Sequence, residues 1–278
     1  MKKVRNMKTY LTPTAAAVAL ALTAGSAHAL DVYLAAKAFD KALPDGSTVP
    51  MWGYVEDTNG TCFLAPTVAD RQTCIGTLPD PVLPGPRLTV PTTDAGALTI
   101  HLSNGLPEPT SIVIPGQALP TSGGTGPTWN DDSTGSRTND SQRVRSFGAE
   151  AAANGGAESY TWALARSGSF IYHSGTHPQK QVYMGLYGAV TQDAADGEVF
   201  AGVPYDNEIV LFYSDIDPAL NQSIAKLHDS SNPDYVDVES YTTSIDLHAR
   251  WHLVNGAPTE DGGTPDLAAW FGTPELPR

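Results

Sequence analysis

The stretch "SYTWALARSGSFIYHSGTHPQKQVYMGLYGAV" (Ser159–Val190) determines how the rest of the sequence is interpreted. It begins with two short runs of β-strand character, Glu158–Leu164 and Gly168–Ser174, and it ends in a glycine-punctuated apolar run. His173 and His177 lie between these parts, four residues apart. The letters "SGTHP" contain too much glycine and proline for a helix, so we expect a loop that carries His177. Because imidazole is a good copper ligand, both histidines are candidate metal ligands.

Short β-like runs of this kind recur along the chain, separated by Gly, Pro, Asp and Asn, and long helical periodicity is hard to find. This pattern predicts an all-β sandwich or barrel. One short helix is predicted to begin at Pro218, with Asp217 as its cap, and to run to about Leu227. The other predicted strands are Val32–Phe39, Val49–Val55, Leu83–Val90, Ala97–Asn104, Thr110–Gly116, Met184–Thr191 and Glu208–Ser214.

The first 29 residues have the features of a secretory signal peptide. A basic start is followed by the apolar run Ala15–Ala24 and by the small-x-small cleavage signal Ala27–Ala29. We therefore expect the exported chain to begin near Leu30, in the periplasm or outside the cell. Removal of the four basic residues in this segment leaves 12 basic and 30 acidic side chains, a net charge of −18. Such a balance argues against a nucleic-acid partner, and no other stretch is apolar enough to span a membrane.

The chain has two cysteines, Cys62 and Cys74, in one loop-like region. An even number of cysteines in an exported protein favours a disulfide, here one that would pin a local excursion of the chain. A copper thiolate is the alternative, but neither cysteine has a histidine close by in the sequence. In the strand Ala97–Asn104, polar and apolar residues alternate, which predicts that His101 lies on the solvent face.

Five segments, in this order, resemble the N-terminal cupredoxin (plastocyanin-like) domain of multicopper oxidases. They are "LPGPRLTV", "ALTIHLSNGLPEPTSIVIPG", the opening stretch, "DNEIVLFYSD" and "WHLVNG". The resemblance implies an all-β fold, a cupredoxin-like antiparallel Greek-key β-sandwich with a short helix and long loops. After the predicted signal peptide at 1–29, it implies a cupredoxin-like domain at 30–239 and a linker with the start of a second, incomplete cupredoxin domain at 240–278.

The same resemblance implies copper chemistry, namely one-electron oxidation of a substrate coupled to reduction of dioxygen to water. In the family, the first domain supplies two His-x-His pairs to a trinuclear copper cluster, since residues i and i+2 share one face of a strand. Here the first pair falls on Val113 and Pro115, and the second on His173 and Gly175. His177 is the candidate replacement for the missing histidine. The chain thus has at most part of a copper site, and the family's later copper motifs are missing.

Three functional interpretations remain open from the sequence. The first is an exported multicopper-oxidase-like protein that is inactive by itself, with a copper site completed by other cupredoxin domains or chains. The second is a metal-free, degenerate cupredoxin sandwich that serves as a structural or protein-binding module. The third is a mononuclear copper carrier, which would need a further ligand from His248, His252 or Met184.

Overall fold

The computed structural model describes residues 30–92, 97–122, 128–129, 144–163, 166–228 and 244–260. The predicted signal peptide and most of the predicted long loop Gln117–Asn139 lie outside these ranges. The described helices are α1 (Val68–Thr77), α2 (Pro178–Met184) and α3 (Pro218–Lys226). The described strands are β1 (Leu30–Ala42), β2 (Thr48–Glu56), β3 (Gly85–Val90), β4 (Ala97–Asn104), β5 (Thr121–Ser122), β6 (Thr128–Trp129), β7 (Val144–Ser146), β8 (Gly156–Ala163), β9 (Gly168–His173), β10 (Tyr187–Gln192), β11 (Glu198–Phe200), β12 (Val203–Pro204), β13 (Tyr213–Ile216), β14 (Trp251–Val254) and β15 (Ala257–Glu260).

Two sheets form the main sandwich. The larger sheet has the strand order β2-β1-β4-β8-β5, and the smaller one has the order β3-β10-β9. Most neighbouring strands are antiparallel, but each sheet contains one parallel pair, β1 with β4 and β3 with β10. The predicted all-β, cupredoxin-like sandwich is therefore confirmed, with two parallel pairs that the sequence pattern did not reveal.

The main hydrophobic core lies between these two sheets. Leu98, Ile100 and Leu102 of β4 are completely buried in it, as the alternation in that strand predicted. Tyr54 of β2 and Tyr172 of β9 meet there with their ring centroids 5.5 Å apart. The core thus draws residues from both sheets and holds them face to face.

A second core lies on the outer side of β2 and β10, under a small sheet of β13, β14 and β15. Trp251 of β14 is 1% exposed and shares this cluster with Met51 and Leu83. Residues 251–260 therefore pack on the same body as the first strands of the chain. The predicted domain division at residues 239 and 240 stays a prediction.

The predicted disulfide between Cys62 and Cys74 is confirmed, with Cα atoms 5.2 Å apart. It ties the chain after β2 to α1, a helix that the sequence analysis did not predict. This segment covers β4 on the side away from the main core. His101 therefore lies on the predicted face, but this face is covered and the side chain is only 19% exposed. The His101 ring is stacked 4.6 Å from Tyr33 and lies 4.9 Å from Phe63, and its Nδ1 is 2.8 Å from the hydroxyl of Ser159.

One further prediction needs correction near the opening stretch. Thr110–Gly116 is not a strand, because only Thr110 and Val113 form isolated bridges there, to Ala151 and His173. The helix α2 follows the predicted loop and was not predicted, whereas the predicted strand Met184–Thr191 is present as β10, which begins three residues later, at Tyr187. The predicted helix after Asp217 is confirmed, since Asp217 Oδ1 accepts hydrogen bonds from the N–H groups of Ala219 and Leu220.

Candidate functional site

The two candidate ligands of the opening stretch lie at the two ends of a short connection. His173 ends β9, and His177 precedes α2, with a positive φ of 39°. The Nδ1 atom of His173 lies 2.8 Å from the backbone oxygen of Ser174. A carbonyl oxygen only accepts hydrogen bonds, so in the neutral ring Nδ1 carries the proton and Nε2 keeps its lone pair. His173 is thus chemically able to be a metal ligand.

The backbone fixes where His177 lies. Its N–H donates to the carbonyl oxygen of Arg145 at 3.0 Å, and its own carbonyl oxygen accepts from Lys180 and Gln181 at the start of α2. The predicted loop from Ser174 to Pro178 is therefore tied at both ends. It is held by hydrogen bonds to β7 and to its own helix.

The positions where the family's other ligands would fall are filled differently. Val113 and His173 are backbone partners, with N–H···O distances of 2.9 and 3.0 Å. A Cβ atom added at Gly175 would lie 2.8 Å from Val113 Cγ1 and 3.0 Å from Ser111 Oγ. There is no space for a side chain at residue 175 unless these neighbours move. The residues present at positions 113, 115 and 175 do not fit a histidine-held copper cluster.

A buried triangle of hydroxyl groups lies around this point. The Thr176 hydroxyl is 3.0 Å from both Ser111 Oγ and Ser146 Oγ, and these two oxygens are 2.8 Å apart. All three residues are at most 1% exposed. Buried polar groups are costly unless they are paired, and here the three hydroxyls pair with each other. They occupy the interior beside Gly175 with neutral groups that are poor ligands for copper.

Gln181 extends this network on the other side of the loop. Its Oε1 accepts hydrogen bonds from the hydroxyls of Ser174 and Thr110, at 2.6 and 2.8 Å, and its Nε2 donates to the Pro109 oxygen at 2.8 Å. The sequence pattern indicates that Gln181 is a polar neighbour of the loop that can hydrogen-bond to it, and the bond to Ser174 has this form. Its partners Pro109 and Thr110 come from a distant segment, and the sequence analysis did not predict them.

A buried charged cluster adjoins the amide of Gln181. The Oε1 atom of Glu108 lies 2.7 Å from Lys180 Nζ and 2.6 Å from His228 Nε2. Burial by itself would raise the pKa of the Glu108 carboxyl. The hydrogen bond of His228 and the charge of Lys180 outweigh burial and lower this pKa to about 2. Glu108 is therefore a carboxylate at neutral pH, and it joins α2 to the end of α3.

The remaining histidines lie elsewhere in the fold. His252 of β14 has its Nδ1 2.6 Å from Asp215 Oδ1, and the backbone N–H of His248 donates to Asp217. Met184 is completely buried in the main core. Within the described ranges, no three side chains among His, Cys, Asp and Glu come together in a group that could hold a metal ion.

Comparison with solved structures matches this fold to copper oxidases. A multicopper oxidase from Pseudomonas thermotolerans is 22% identical over 60% of this chain, with a TM-score of 0.38. The blue copper oxidase from Nitrosomonas europaea is 12% identical over 82% of the chain, with a TM-score of 0.43. Fet3p, a multicopper oxidase that functions in iron import, is 16% identical over 83%, with a TM-score of 0.47.

The chain is structurally similar to multicopper oxidases. It spans 30%, 54% and 33% of the lengths of these three multicopper oxidases. No protein-family model and no curated protein sequence matches it. In addition, none of the described helices is long and apolar enough to cross a membrane.

Proposed function

We propose that the chain is a cupredoxin-like module of an exported multicopper-oxidase-like protein, and that it does not oxidise substrates by itself. The observation that carries this proposal is the filled space at Gly175, where Val113 and Ser111 stand in place of a ligand. Of the four positions expected for the first domain's ligands, only His173 holds a histidine. Other cupredoxin domains or chains would have to supply the rest of the site.

The second candidate is a metal-free structural or protein-binding module. The hydroxyl triangle of Ser111, Ser146 and Thr176 favours it, because each of these buried hydroxyls has the other two as hydrogen-bond partners. On this proposal, the former ligand region is part of the packed interior, and His173 serves only through its backbone pairing with Val113.

Copper stoichiometry and oxygen uptake test these two candidates together. The purified chain, starting at Leu30, is loaded with Cu(II), desalted and assayed for bound copper, beside a His173→Ala, His177→Ala double variant. His252→Ala is the matched control, because His252 lies in a different sheet. About one copper per chain that is lost in the double variant, and kept in the control, supports a ligand role for the opening stretch.

The other outcomes separate the candidates. If wild-type chain retains no more copper than the double variant, the metal-free module is the better explanation. Sustained oxygen consumption by the pure chain with a phenolic or metal-ion substrate contradicts both candidates, since it requires a working copper cluster in this chain.

A further inference from the structure

An exposed apolar row runs along the segment that leads into β13. Ile209, Leu211 and Tyr213 are 53%, 44% and 71% exposed. Val210 and Phe212, which alternate with them, turn inward and pack on the second core. Exposure with a period of two residues is the pattern of a β-strand, but here both faces are apolar. We call Ile209, Leu211 and Tyr213 the outer row.

The backbone N–H and C=O groups of this segment form hydrogen bonds on one side only. The side chain of Asn255 donates to the Val210 oxygen at 3.1 Å and accepts from the Phe212 N–H at 2.9 Å. Among the described residues, the backbone groups of Ile209 and Leu211 have no hydrogen-bond partner. The segment continues into β13, which is an edge strand of its sheet. A strand edge with unused backbone groups is a template for pairing with another chain.

Acidic residues surround the outer row. Asp206 and Glu208 precede it, and Glu208 is bonded to Arg87 of β3. Asp215 follows Tyr213 at the next outward position and is also exposed, and its Oδ1 lies 2.6 Å from Nδ1 of His252. The exported chain is expected to carry a net charge of −18, from 12 basic and 30 acidic side chains. A second copy would bring the same acidic surface to the contact, whereas a basic partner would be attracted to it.

We propose that Glu208–Tyr213 is a docking edge that takes up a β-strand from another exported protein. The partner strand fits if apolar residues alternate along it and lysine or arginine residues flank it. Backbone pairing with Ile209 and Leu211 supplies affinity, and contacts with the outer row supply apolar burial. The exposed Asp206 and the net negative charge of the chain favour the basic flanks. This inference concerns the opposite side of β10 from the main core, and it stands whether or not the chain binds copper.

A labelled peptide tests the docking edge. The probe alternates threonine and valine, carries two lysines at each end, and bears fluorescein for anisotropy measurements. The control peptide has glutamates in place of the lysines. Binding is measured with three proteins: the wild-type chain, the double variant Ile209→Lys, Leu211→Lys, and a control double variant. The control, Leu64→Lys, Val82→Lys, gives the same change to two other exposed apolar residues.

We expect the lysine peptide to bind the wild-type chain. Its affinity should fall about tenfold or more for the double variant Ile209→Lys, Leu211→Lys and stay unchanged for the control double variant. The glutamate peptide should bind the wild-type chain no more tightly than the lysine peptide binds the double variant. Equal binding to all three proteins, or no binding to the wild type, overturns the proposal. If the lysine variant fails to fold by circular dichroism, Ile209→Ser, Leu211→Ser takes its place. Self-association of the wild type that the same variant abolishes also overturns it, because the occupant is then a second copy.

Discussion

At the residue scale, Gly175 decides what the former ligand region can hold. The resemblance implies a histidine at this position, but the space that a side chain would take is occupied by Val113 and Ser111. The φ angle of Gly175 is not positive, so glycine is required here for space and not for backbone conformation. The exchange of a ligand for glycine is therefore coupled to the packing of the neighbouring segment.

We predict that Gly175→Ala destabilises the protein by about 1–3 kcal/mol, because the added methyl group must displace Val113 or the hydroxyl of Ser111. Denaturant unfolding followed by tryptophan fluorescence measures the change. The control is Gly76→Ala in α1, where nothing lies within 4 Å of the added carbon. Alanine is the better helix former, so this control should be neutral or slightly stabilising. A neutral Gly175→Ala variant would show that the site is open enough for a side chain.

At the element scale, Glu108 joins α2 to the residue that follows α3, through Lys180 and His228. Lys180 of α2 is 1% exposed, and the Glu108 side chain is 12% exposed. A buried ion pair is weak evidence for net stability, but removal of one partner leaves a buried charge without its counter-ion. The cluster thus fixes how α2 and the end of α3 meet at the loop after β4.

We predict that Glu108→Gln costs about 3–5 kcal/mol of unfolding free energy at neutral pH, and that Glu108→Gln with Lys180→Met costs less than the single change. Chemical unfolding of the two variants measures both values. The control is Asp80→Asn, which breaks the ion pair of an Asp80 side chain that is 70% exposed, and it should cost less than about 1 kcal/mol.

The same carboxyl sets a pH dependence. The pKa of Glu108 is lowered in the folded state from 4.5 to about 2, so its contribution is present above about pH 4.5 and is lost as the pH falls toward 2. The unfolding free energy of the wild type should therefore fall more steeply below pH 4.5 than that of Glu108→Gln. Parallel curves for the two proteins would show that another carboxyl controls the acid response.

At the scale of the whole molecule, two cores share the strands β2 and β10. The outer core includes Trp251 of β14, which lies far along the chain from its neighbours Met51 and Leu83. We therefore expect residues 30–228 and 244–260 to unfold together. The alternative is an independent unit near the end of the sequence, as the predicted domain division implies.

We predict that Trp251→Ala destabilises the whole protein by about 3–5 kcal/mol and leaves a single unfolding transition. Far-ultraviolet circular dichroism and tryptophan fluorescence should give coincident curves. Val82→Ala is the control, because Val82 is 73% exposed and its truncation should change stability by less than about 0.5 kcal/mol. Two separate transitions, with the first sensitive to Trp251→Ala, would instead support a boundary near residue 240.

Local patterns in the sequence were sufficient for most elements of the fold. The alternation of polar and apolar residues predicted β4, and Asp217 before Pro218 predicted the start of α3. The even number of cysteines predicted the disulfide. These features depend on residues a few positions apart, so backbone geometry and capping chemistry can be inferred from them. The resemblance also implied that His173 stands at the one ligand position that holds a histidine, and its role as a ligand stays a prediction. The sequence pattern predicted neither α1 nor α2, because both helices are short and have weak apolar periodicity.

Only the tertiary structure decided what replaces the missing ligands. Ser111 and Ser146 meet although they are 35 residues apart, and Glu108 meets His228 across 120 residues. The residues that cover His101 and those that fill the space beside Gly175 likewise belong to segments that are distant in the sequence. Contacts of this kind depend on which faces the sheets bring together, and a period of two residues gives the face of a strand but not its neighbour. The sequence therefore determined the sandwich, and tertiary packing determined that the space beside Gly175 is filled.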